Sequence, residues 1–129
     1  MPVASCACGG VEVEVTGEPI RVSVCHCFAC QRRTGSAFGA AARFADAQVT
    51  VRGETAAFRR TGDSGGEIGF EFCPRCGSTV LWRPQRLPGT VSVALGAFAD
   101  PGLWAPTVSI YEARRHPWVA ISGEVEHLD

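Results

Sequence analysis

Arg21-Val-Ser-Val-Cys25-His-Cys27-Phe-Ala-Cys30 is a strand pattern that runs into a cluster of thiols. Its first half alternates polar and apolar residues, the period of a half-buried strand. Its second half places three cysteines within six residues. Alternate residues of an extended segment share a face, so Cys25 and Cys27 point together. His26 then points the other way, into a packed or hydrogen-bonded place behind the thiols. Phe28–Thr34 has no alternation and reads as a helical turn or two, with Gly35 as its stop.

Alternation continues on both sides of this stretch. Val11-Glu-Val-Glu-Val15 is apolar on one face and acidic on the other. Further strands are expected over Ser36–Phe44, Gln48–Arg52, Ala56–Arg60, Ile68–Cys73, Thr79–Trp82, Thr90–Leu95 and Val108–Glu112. Gly53, Gly62–Gly66, Pro88-Gly89 and Asp100-Pro-Gly102 supply turns between them. No long helix pattern, internal repeat or linker breaks the series. Residues 1–129 therefore read as one all-β domain.

The chain has seven cysteines, all before residue 77, and a pure disulfide framework would strand one of them. They divide into four and three. Cys6-Ala-Cys8 in extended chain aims both sulfurs one way, and Cys73-Pro-Arg-Cys76-Gly77 has the spacing of a metal-binding knuckle. Together the two pairs offer four thiolates across 64 intervening residues, enough to close a structural zinc site that contributes folding energy. The alternative is that these cysteines are small buried hydrophobes.

Cys25, Cys27 and Cys30 leave a fourth position open. Three thiolates donate so much charge that zinc held by them is a poor Lewis acid, less suited to making hydroxide than a histidine-rich site. A soft, sulfur-rich site favours a further sulfur ligand, so a thiol is the expected substrate rather than water. The competing reading is a redox-sensitive or structural trio without turnover.

Composition narrows the classes. A hydrophobic share of 46% and a charged share of 19% belong to a globular chain, not a disordered one. Net charge is −1, which argues against nucleic acid as a partner. No apolar stretch reaches membrane-spanning length, and Met1–Cys6 lacks the basic start and apolar core of a signal peptide. The expected location is a reducing cytoplasm, where cysteine pairs hold metal more often than they form disulfides. All twelve basic residues are arginine. Arg32 and Arg33 adjoin the thiol trio and are the candidates for gripping a substrate carboxylate. Trp82, Trp104, Trp118 and Tyr111 are expected to pack the core or line its mouth, and His116 and His127 to lie at the surface.

Ser5-Cys-Ala-Cys-Gly9, Cys25-His-Cys-Phe-Ala-Cys-Gln-Arg-Arg-Thr-Gly-Ser-Ala-Phe38 and Phe72-Cys-Pro-Arg-Cys-Gly-Ser78 resemble the glutathione-dependent formaldehyde-activating enzyme family. The resemblance runs on through Gly96–Pro101 to Pro117-Trp118. It implies a zinc-containing β-tent of several small antiparallel sheets, with one short helical turn after the second cysteine group. It also implies a structural zinc on Cys6, Cys8, Cys73 and Cys76 and a catalytic, more labile zinc on Cys25, Cys27 and Cys30. The implied activity is that of a carbon–sulfur lyase joining glutathione to formaldehyde. Relatives often carry a histidine where this chain has Ser109, which puts any acid–base role there in doubt. Two other classes compete. One is a non-catalytic zinc-binding interaction module. The other is a methionine sulfoxide reductase, which needs a reactive cysteine on a later strand and finds none after Cys76.

Overall fold

The alternating segments pair as strands, and a single short helix lies between the third and fourth of them. The computed structural model describes residues 1–129. In chain order the elements are β1 (Val3–Ser5), β2 (Glu12–Val15), β3 (Arg21–Cys25), α1 (Phe28–Thr34), β4 (Gly39–Ala45), β5 (Val49–Arg52), β6 (Ala56–Thr61), β7 (Glu67–Phe72), β8 (Thr79–Pro84), β9 (Thr90–Ala94), β10 (Val108–Ile110) and β11 (Glu126–His127). Short 3₁₀ turns cover Asp46–Gln48, Leu95–Phe98 and Glu112–Arg114. The expected all-β class with one short helix is what the chain adopts. β1 and β11 are additional, and β10 stops at Ile110 because Tyr111 turns into the left-handed region, at φ 55°.

The strands form a three-stranded sheet, β1-β2-β5, and an eight-stranded sheet, β11-β10-β3-β4-β9-β8-β7-β6. All pairs are antiparallel except those of β10, which lies parallel to both β3 and β11. Val11, Val13 and Val15 point inward from the β2 segment, and Val22, Ala42, Phe44, Val91 and Val93 from β3, β4 and β9. All belong to one buried cluster. Trp104 meets the rings of Phe44 and Phe98 edge-on at 5.6 and 5.2 Å. Each fully buried side chain of this size stabilises by about 1.5–3 kcal/mol. Cys6 and Cys73 are part of the same cluster, so the first cysteine group sits at the margin of the core.

The opposite face of the large sheet is the functional one. The ladder between β8 and β9 contains only Leu81–Val93 and Trp82–Ser92. Residues on both sides of this short junction line one cavity, so the sheet curls around it. A bulge at Glu71/Phe72 between β7 and β8 adds local bend. No helix is long and apolar enough to cross a membrane.

Candidate functional site: two cysteine clusters and a cavity

Cys6, Cys8, Cys73 and Cys76 converge, with all four sulfurs within 4.8 Å of one another. Cys6 Sγ lies 3.7 Å from Cys8 Sγ, and Cys8 Sγ lies 3.6 Å from Cys73 Sγ. A disulfide needs about 2.05 Å. Sulfurs about 2.3 Å from a common tetrahedral centre stand about 3.8 Å apart, so the spacing fits a shared zinc. The backbone supports this. Val11 N–H donates to Cys6 Sγ at 3.1 Å, and Gly77 closes the knuckle through its N–H to the Cys73 carbonyl at 2.8 Å. Gly77 does so at φ 80°, where a side chain would be strained. Hydrogen bonding from Ser78 draws the Cys76 thiol down to about 5, favouring the anionic form that a metal needs.

Cys25, at the end of β3, meets Cys27 and Cys30 at the start of α1, again with all sulfurs within 4.8 Å. Cys27 caps the helix, its sulfur accepting from the Cys30 N–H at 3.3 Å. The thiols of Cys25 and Cys30 also hydrogen-bond to Cys27, and together they hold its pKa well below the ordinary thiol range. The cost falls on Cys25, pushed upward by sharing with an already anionic Cys27. Gly39 of β4 lets the strand pass close to the helix. A Cβ there would lie 2.9 Å from Arg33 Nη2 and 3.3 Å from Cys30 Cβ.

The trio opens into a cavity of about 190 Å³. Ile68, Phe70, Trp82 and Tyr111 give it apolar walls, and Arg21, Arg33, Arg43 and Arg60 give it positive charge. Arg33 lies over Trp82 at 4.3 Å and Phe70 at 5.5 Å, and Arg60 over the same phenylalanine at 5.3 Å. Such cation–π contacts orient the guanidinium groups without neutralising them. Asp63 also lines the cavity, but Arg114 pairs with it.

Behind the trio, His26 is fully buried and its Nε2 is 2.8 Å from Ser109 Oγ. Ser109 donates to Glu112 Oε2 at 2.5 Å, and His127 Nδ1 reaches the same oxygen at 3.0 Å. This order places the His26 proton on Nε2. Burial holds His26 in its neutral form, its pKa lowered, whereas hydrogen bonds from Ser109 and His127 keep Glu112 ionised. Gln31 of α1 ties the helix down by donating to the carbonyls of His26 (2.9 Å) and Arg114 (3.1 Å). We expect Ser109→Ala to lower stability by roughly 1–3 kcal/mol in urea unfolding, since it strands a buried N–H. An unchanged midpoint would show that the chain does not matter for stability.

Of the two arginines expected near the trio, Arg33 stands in the cavity wall, whereas Arg32 is exposed and does not line it. Trp82 lines the cavity and Trp104 packs on the core, but Trp118 is 75% exposed. His116 and His127 are engaged rather than free, with His116 Nε2 at 2.7 Å from Gln31 Oε1. The sequence does not single out Arg21 and Arg43, because a cavity-facing arginine on a strand alternates with apolar residues in the same way as a solvated one.

Among known families, the one described as glutathione-dependent formaldehyde-activating enzyme matches residues 1–114. Among solved structures, a crystal structure of a Rhodobacter sphaeroides protein superposes with a TM-score of 0.60. It is 23% identical, and the match covers 79% of this chain and 90% of that one. At that identity the likeness speaks for the fold alone. No curated protein matches the chain. With the match spanning all three cysteine groups and all but the last strand, the chain belongs to the glutathione-dependent formaldehyde-activating enzyme family.

Proposed function

We propose that this protein is a zinc-dependent carbon–sulfur lyase that adds a glutathione-type thiol to formaldehyde or another small electrophile, reversibly. The whole chain would act as one domain. Cys25, Cys27 and Cys30 would hold the catalytic ion, and Cys6, Cys8, Cys73 and Cys76 a structural one. The observation that carries the reading is a trio of thiols with an open side, facing an arginine-lined cavity in a member of this family.

Zinc bound at the trio supplies positive charge that keeps an incoming thiol deprotonated at neutral pH. The chain's own residues do the rest. Three thiolates outweigh a divalent ion by one negative charge, and Arg60 and Arg33 stand close enough to favour the anionic forms of Cys27 and Cys30. Phe70 and Trp82 close one wall to water and hold Arg33 in place. In the addition, the thiolate electron pair forms a carbon–sulfur bond and the carbonyl π bond breaks onto oxygen. The proton lost by the thiol ends on that oxygen, giving the hydroxymethyl thioether.

The uncatalysed addition also proceeds, so the test is a rate rather than a product. Exchange spectroscopy by NMR should show interconversion of glutathione, formaldehyde and their adduct accelerating in proportion to added zinc-loaded protein. An exchange rate equal to that in buffer would exclude the activity.

A further inference from the structure

The arginines of the cavity divide into two groups by what surrounds them. Arg33 and Arg60 lie over aromatic rings beside the trio, whose negative charge they offset. Arg21 and Arg43 have neither support. They stand directly opposite each other in the β3–β4 ladder, and both line the cavity. Like charges at facing positions of a sheet are destabilising. Of the other arginines, Arg32, Arg75 and Arg86 are solvated at the surface, whereas Arg21 and Arg43 are half-buried. Arg52, Arg59, Arg83, Arg114 and Arg115 all pair with carboxylates. For Arg21 and Arg43 no carboxylate partner or side-chain hydrogen bond exists, and Arg43 is partly desolvated beside its neighbour. A pair of forked cations, set facing in a cavity wall with no carboxylate paired to either, has the chemistry of an anion clamp.

Its position sets the size of the anion's carrier. Arg21 and Cys25 are the two ends of β3, four residues apart on one face, or about 13 Å at 3.3 Å per residue. In an extended tripeptide of about 10 Å a central thiol stands about 5–7 Å from a terminal carboxylate, and the long arginine side chains, with the Cys25 side chain, cover the remainder. We propose that Arg21 and Arg43 form a carboxylate-binding subsite that selects tripeptide-sized, carboxylate-bearing thiols whose sulfur reaches the Cys25–Cys27–Cys30 end. This rests on the cavity being the site of a glutathione-type thiol, and it makes Arg21 and Arg43 determinants of specificity rather than catalytic residues.

The test uses S-methylglutathione, which keeps both carboxylates but has no ionisable thiol, and its dimethyl ester, which has neither carboxylate. Calorimetric titration of the zinc-loaded protein should show S-methylglutathione binding at least about tenfold more tightly than the ester. Arg43→Gln and Arg21→Gln should each weaken S-methylglutathione by about tenfold or more and leave the weak binding of the ester unchanged. Equal affinities for acid and ester on the unmodified protein would overturn the clamp, and so would variants that bind S-methylglutathione as the parent does. Because the probe cannot deliver a thiolate, these outcomes are independent of whether the trio activates thiols.

Discussion

Cys73→Ser should abolish cooperative folding. Cys73 is 1% exposed, belongs to the main core cluster, and lies 3.6 Å from Cys8 Sγ in the four-sulfur group. That group brings the loop after β1 against the loop after β7, which belong to different sheets and are otherwise held by the Ala7 N–H to Ser78 Oγ hydrogen bond. If the group holds a zinc ion, losing one of four thiolates would forfeit much of a binding energy of roughly 10 kcal/mol or more that is coupled to folding. Serine then leaves a hydroxyl at the edge of an apolar core. Circular dichroism and thermal melts of the purified variant read the effect directly. A soluble Cys73→Ser protein with the parent's melting temperature would refute a structural ion at this site.

Cys27→Ala should give the opposite pattern. Cys25, Cys27 and Cys30 come from one short stretch that lines the cavity, and the main core cluster contains none of them. Removing Cys27 takes away the helix cap of α1, worth about 1 kcal/mol, and the thiol that ionises first. The expected protein is folded, with bound zinc reduced from two ions to one and no acceleration of the exchange between glutathione and formaldehyde. Elemental analysis beside a melting curve separates the two clusters. Two retained ions, or collapse of the fold, would contradict the division into a structural and a catalytic site.

Much of this was legible because the pattern was local. Nine strand segments announced themselves by alternation, and α1 by its absence between Cys27 and Gly35. β1 and β11 were not, since three and two residues are too few to show a period. The early end of β10 depends on a left-handed Tyr111, which no local rule demands of a tyrosine. The cysteine groups could be paired by counting ligands. By contrast, His26 and Ser109 are 83 residues apart, and only the parallel pairing of β10 with β3 brings them together. Alternation also shows that a strand has a polar face without showing what that face meets. That is why the pattern does not single out Arg21 and Arg43, and why it does not distinguish Arg32 from Arg33.

If the trio holds a metal whose open side takes a thiol, cobalt substituted for zinc will report it through its sulfur-to-metal charge-transfer absorption. Titrating the cobalt-loaded protein with glutathione should intensify and shift that absorption in a saturable way, whereas S-methylglutathione should leave it unchanged. No spectral response to millimolar glutathione, with cobalt verified at the trio, would contradict thiol activation and leave a non-catalytic zinc module as the better account.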